Sequence, residues 1–145
     1  MKKILIVDDD TGILDSTKQI LEIEGYEVDT AQTGGEGLSK IENLFFNLAL
    51  FDIKLPDMEG TELLEKAHKI RPGMKKIMVT GYASLENSVK SLNAGADAYI
   101  LKPVDPDVLL AKVKEKLTEQ DKDASMNGDK ISEFLEERIL SARKK

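Results

Sequence analysis

Four stretches of the chain each place a chemically useful side chain directly after an apolar run. Asp8-Asp9-Asp10 follows Ile4-Leu5-Ile6-Val7, and Asp52 follows Leu48-Ala49-Leu50-Phe51. Thr80 follows Ile77-Met78-Val79, and Lys102 follows Ala98-Tyr99-Ile100-Leu101. Crowded carboxylates repel one another unless a cation lies among them. Hard oxygen donors with water completing the shell suit Mg2+ or Mn2+. A carboxylate is also a nucleophile toward phosphorus, giving an acyl phosphate. Around such a group, a metal and an ammonium offset charge on the transferring oxygens, and a hydroxyl donates a hydrogen bond to one of them.

For these residues to act together, the chain must bring the ends of its apolar runs to one place. Lys3–Val7 and Leu48–Phe51 are apolar on both faces, as buried strands of a parallel sheet are. Ile77–Val79 and Ala98–Leu101 are further strands, and Tyr26–Thr30 alternates as an edge strand with one wet face. Between them lie helical patterns. Thr11–Glu24 turns Ile13, Leu14, Thr17, Ile20 and Leu21 inward and stops at Gly25. Glu36–Phe46 does so through Leu38, Ile41 and Phe45, and a third helix through Leu63, Leu64, Ala67 and Ile70, closed by Pro72-Gly73. Ser84–Ala94 carries a thin stripe of Leu85, Val89 and Leu92. Asp105 as N-cap and Pro106 at the first helical position open a fifth helix, with Leu110, Val113 and Leu117 facing in. Strands alternating with helices imply a parallel sheet covered on both faces, and right-handed crossovers favour a doubly wound topology. Ligands bind such sheets at the carboxyl ends of the strands, where Asp8, Asp9, Asp52, Thr80 and Lys102 all fall.

The motifs Ile4–Asp10, Leu50-Phe51-Asp52-Ile53-Lys54-Leu55-Pro56-Asp57-Met58-Glu59-Gly60, Val79-Thr80-Gly81 and Gly95–Pro103 resemble the receiver domain of two-component response regulators, of the chemotaxis-regulator kind. The resemblance covers residues 1–118. It implies a flavodoxin-like sheet of order 2-1-3-4-5 and a sensor histidine kinase or phosphotransfer protein that phosphorylates Asp52. It implies Mg2+ (or Mn2+) held by Asp8, Asp9, Asp52 and the backbone carbonyl of Lys54, with Thr80 and Lys102 on the phosphoryl group. By the same resemblance Thr80 and Tyr99 form a switch pair, and the Lys102–Pro103 peptide is cis. The expected role is regulatory. The domain catalyses only its own phosphotransfer and dephosphorylation, and it changes its binding to a downstream protein target or output domain. Lys54 and Tyr82 occupy positions that vary in this family, overhang the site and bear on how fast water reaches the phosphoryl group.

Simpler readings account for some of these residues. Asp10 directly precedes a helix and is read as its N-cap. A cap needs one aspartate, which leaves Asp8 and Asp9 for the metal. Gly34-Gly35-Glu36-Gly37 lacks the spacing of a phosphate cradle and reads as a flexible turn and helix start. His68 lies beside the apolar stripe of its helix without a partner motif and is read as a surface histidine. An enzymatic alternative rests on Asp8-x-Asp10, which resembles the nucleophile motif of haloacid-dehalogenase-type phosphatases. That alternative makes Asp8 the phosphoryl acceptor and leaves Asp52 without a role. A receiver-like module that no longer takes phosphate is a second alternative, although every site position is filled.

Composition narrows the rest. The chain has 145 residues, no cysteine and a net charge of −6. Thiolate chemistry is therefore excluded, and no basic face for nucleic acid is expected. Its apolar runs are too short to span a bilayer. Met1-Lys2-Lys3 and the run after it have the outline of a signal peptide, but the aspartates after Val7 end it short of a usable apolar core. A cytoplasmic location without membrane contact is expected. From Thr118 to Lys130 the sequence turns polar and reads as a linker. Ile131–Arg143 then reads as a short amphipathic helix with Ile131, Phe134, Leu135 and Ile139 on one side. That helix is expected to dock on its own domain or on a second copy, the homodimer being preferred.

Overall fold

The computed structural model describes residues 1–81, 90, 91 and 93–143, with side chains described as far as Ser125. In chain order the elements are β1 (Lys3–Val7), α1 (Thr11–Ile23), β2 (Glu27–Ala31), α2 (Gly34–Asn43), β3 (Leu48–Asp52), α3 (Gly60–Ile70), β4 (Lys75–Thr80), β5 (Ala98–Leu101) and α4 (Pro106–Arg143). The strands form one parallel sheet of order β2-β1-β3-β4-β5, the doubly wound, flavodoxin-like arrangement expected from the sequence. Most of the helix expected over 84–94 lies outside the described residues, as do Leu85, Val89, Leu92 and Tyr82. At its end the Ala94 N–H donates to the Lys90 carbonyl at 3.0 Å.

Successive side chains of a strand point to opposite faces, and the buried residues divide accordingly. On one face Leu5, Val7, Ala49, Phe51 and Met78 pack with Ile41 of α2 and with Leu63, Leu64 and Ala67 of α3. On the other, Ile4, Ile6, Leu48, Leu50, Ile77 and Val79 pack with Leu14 and Leu21 of α1 and with Leu109, Val113 and Leu117 of α4. Each large apolar side chain buried this way contributes about 1.5–3 kcal/mol before ordering entropy.

Several expectations need correction. Leu109 is the buried residue of the first turn of α4, with Leu110 only partly buried beside it, because 109, 113 and 117 stand four apart on one face. The helix α2 begins at Gly34 rather than Glu36 and ends at Asn43. Phe45 therefore lies beyond it and is 64% exposed, while Phe46 fills the core position. The stretch 119–130 is not a linker separating two helices, because α4 runs unbroken through it. It contains no proline, and half of its residues form helices well. It is also fastened to the sheet. The Gln120 side-chain amide donates to the carbonyls of Asn47 (2.7 Å) and Gly73 (2.9 Å). Asp121 pairs with Lys2, and Asp123 lies 3.6 Å from Lys75.

Candidate functional site

The carboxyl ends of β1, β3, β4 and β5 lie side by side. Val7 is in register with Phe51, Asp52 with Val79, and Thr80 with Leu101. The residue that ends or follows each strand is thereby delivered to one edge. Asp8, Asp9 and Asp52 each offer an oxygen within 4.8 Å of the others. Asp8 and Asp52 are buried while Asp9 faces solvent, so the cluster has one open side. Lys102 reaches the two buried acids. Its ammonium donates to Asp8 Oδ2 at 2.9 Å and lies 3.4 Å from Asp52 Oδ2. The Lys102 N–H donates to the Thr80 carbonyl at 2.8 Å, which fixes where the lysine leaves the sheet. Thr80 is fully buried at the end of β4. The Lys102–Pro103 peptide is cis, as expected.

The electrostatics follow from this packing. Burial and the neighbouring charge of Asp8 push the Asp52 carboxyl above the ordinary aspartate range, against the pull of Lys102 and the Lys54 N–H. Burial also opposes charge on Lys102. The hydrogen bond and charge of Asp8, together with the charge of Asp52, outweigh it and hold the ammonium above the usual lysine range. Three carboxylates facing one lysine leave net negative charge with a solvent-open side. All-oxygen donors of this kind fit a hard divalent cation that keeps part of its water shell.

The structure brings together Asp8, Asp9, Asp52 and Lys102, with Thr80 on the adjacent strand end and Lys54 two residues beyond Asp52. Tyr99 lies on β5, three residues before Lys102. It pairs in register with Met78 and is half-buried against the α2–α3 side of the core. Asp10 is the N-cap of α1, its carboxylate accepting from the N–H groups of Gly12 (2.9 Å) and Ile13 (3.1 Å). With Asp10 committed to the helix, the phosphatase alternative loses its second acid.

Other features were not legible in the sequence. The glycine turn is fastened rather than flexible, since Gly34 and Gly35 each donate an N–H to Asp57 at 2.8 Å. Gly60 stands where an added Cβ would fall on the carbonyl oxygen of Asp52, so only glycine lets α3 start against the end of β3. Lys76 is wholly buried, its ammonium donating to the Met74 carbonyl at 2.6 Å and lying 3.2 Å from His68 Nδ1. His68 therefore has a partner. Its only sequence signal was its place beside the apolar stripe of α3.

The family model of the response regulator receiver domain matches residues 4–114. The chain belongs to this family. Among curated relatives of the receiver, the transcriptional regulatory protein GlrR of Escherichia coli K12 is 34% identical over 114 residues. The match covers 79% of this chain and 26% of GlrR. The chain thus spans about a quarter of the length of the curated relatives it matches. Among solved structures, a CheY-like receiver domain protein from Methanospirillum hungatei JF-1 superposes with a TM-score of 0.83 at 83% identity. It covers 85% of this chain and 98% of that one. The response regulator TrrA of Thermotoga maritima, solved in complex with Mg2+-BeF, has a TM-score of 0.74 at 36% identity and covers 80% of this chain and 99% of its own. Receiver domains bind Mg2+ at an acidic pocket, and Asp8, Asp9 and Asp52 form such a cluster here.

Proposed function

We propose that this receiver accepts a phosphoryl group on Asp52 from a phosphohistidine of a sensor kinase or phosphotransfer protein. The carrying observation is the ammonium of Lys102 held between Asp8 and Asp52 in a cluster that Asp9 leaves open to solvent. An Asp52 carboxylate oxygen forms the new O–P bond as the donor's N–P bond breaks, and the leaving imidazole takes up a proton. Lys102 offsets charge on the phosphoryl oxygens, and Thr80 donates a hydrogen bond to one of them. Mg2+ (or Mn2+), held by Asp8, Asp9, Asp52 and the Lys54 carbonyl, would supply further charge neutralisation on the transferring group.

The domain works as a switch that catalyses only its own phosphotransfer and dephosphorylation. The Thr80 loop moves toward the phosphoryl group, and Tyr99 changes its burial in response. Such a change selects between partners only through contacts that differ in the two states. Residues 1–118 are the receiver, and the segment after it continues its last helix to Arg143. Ile131, Phe134, Leu135 and Ile139 recur at helical spacing in that extension and favour pairing with a second copy. Among the described residues no helix is long and apolar enough to cross a membrane. We place the domain in the cytoplasm with the kinase and a protein target, without direct contact to nucleic acid or membrane.

Acetyl phosphate with Mg2+ tests the chemistry. One acid-stable, hydroxylamine-labile phosphoryl group is expected per chain, and Asp52→Asn should abolish it. Labelling that survives Asp52→Asn and disappears in Asp8→Asn would transfer the acceptor role to Asp8 and restore the phosphatase reading.

A further inference from the structure

We propose that Asp57 is a positioning residue for the acidic site, latching the loop that carries the Lys54 carbonyl onto the first turn of α2. This rests on the reading of the site as the magnesium and phosphoryl centre. The chain from Ile53 to Gly60 folds back on itself as a miniature hairpin. The Gly60 N–H donates to the Ile53 carbonyl at 2.7 Å, and the Leu55 N–H to the Met58 carbonyl at 3.2 Å. Lys54 and Glu59 bridge in antiparallel fashion between these two bonds. The base of the hairpin is fixed, because Gly60 lies against the Asp52 carbonyl. Its tip, Pro56-Asp57-Met58, has no strand or helix of its own to hold it.

Asp57 supplies the hold. Its two oxygens accept separately from Gly34 and Gly35, both at 2.8 Å, so the carboxylate is gripped in one orientation. These N–H groups belong to the first turn of α2 and have no partner within the helix. The positive end of the helix also favours a carboxylate there. Beside this contact Met58 packs so closely on Gly34 that a Cβ would come within 2.5 Å of its Cγ and Sδ. The two N–H bonds hold the Asp57 carboxyl below the ordinary aspartate range. Lys54 lies between a fixed base and a latched tip, so the direction of its carbonyl depends on both. Neither Asp57 nor the glycines reach the acidic cluster, and their effect on it passes through the loop.

The experiment follows Mg2+ binding by NMR on the amides of Asp9 and Lys54, with no phosphodonor present, in the full chain. Asp57→Ala should free the Gly34 and Gly35 amides to exchange and weaken Mg2+ binding about 10-fold, in the range found when outer residues that orient metal ligands are lost. Asp57→Asn keeps one good acceptor and should fall between. At saturating Mg2+ both variants should take phosphate from acetyl phosphate at near the wild-type rate, a defect in metal affinity rather than in transfer. Removing a charge also weakens cation binding at long range, but salt screens that effect, with a Debye length of about 3 Å at 1 M. A defect that vanished in concentrated salt, or Mg2+ affinity unchanged once the two glycine amides had been freed, would overturn the proposal. A wild-type chain that binds Mg2+ with Asp57-dependent affinity yet takes no label would uphold the latch and remove the phosphoacceptor reading instead.

Discussion

The Lys102 ammonium is the cation nearest to Asp8 and Asp52 among the described contacts. Lys102→Met should leave two buried carboxylates facing each other with little compensation. The expected result is a lower Tm in EDTA and a larger recovery on adding Mg2+ than the wild type shows, read by thermal unfolding with and without chelator. Asp57 gives a pH dependence of known sign. Its folded pKa lies below the ordinary value of 3.8, so its contribution is present above that value. That contribution is lost as pH falls through the lower, folded value. The Gly34 and Gly35 amide shifts should therefore titrate below pH 3.8, and this acid transition should be absent in Asp57→Asn. A titration at or above the ordinary aspartate value would mean that the two hydrogen bonds do not persist in solution.

Among the elements, β4 carries the least expected residue. Lys76 sits wholly inside, and burial pushes its pKa down, against the pull of Asp97. Exchanging a buried, partly satisfied charge for an apolar side chain of similar size is often neutral or stabilising. Lys76→Met should thus hold or raise the Tm at neutral pH. Lys76→Ala leaves a cavity and should cost on the order of 2 kcal/mol in chemical denaturation. The sequence hid this because a lysine pair ordinarily marks a surface, so the strand was read as starting only at Ile77. Where residue type and burial agree, as in β1 and β3, the strands were legible almost to the residue, and with them Asp8, Asp9 and Asp52. Thr80 and Lys102 were legible only from their places after apolar runs. The boundaries of α2 were not, because its first turn is held by Asp57 from a loop more than twenty residues away. Local spacing carries no trace of such a partner. The inward face of α4 was read one residue late, since Leu109 and Leu110 fit a helical stripe equally well until the sheet chooses between them.

At the scale of the molecule, the polarity of residues 119–130 gave the wrong impression of a tether. Gln120, Asp121 and Asp123 are polar because they meet backbone carbonyls and lysines at the amino-terminal edge of the sheet. A chain ending at Thr118 should therefore unfold a few degrees below one ending at Ser125, for a loss of roughly 1–2 kcal/mol. Both should be phosphorylated alike. If residues beyond 125 pair two copies, both truncations should also show a monomer mass in light scattering where the full chain shows a larger one. The helix that passes this edge is continuous from the core residue Leu109 to Arg143. Beyond Asp123, the last residue with a described contact to the sheet, it projects about 30 Å at 1.5 Å per residue. A tilt of about 5° where it crosses the sheet would sweep its far end through about 2.6 Å at that length. Anything carried on that end would receive such a movement amplified by the arm, and only while the arm is stiff. One proline in its middle would leave the receiver intact and disconnect the gauge from the dial.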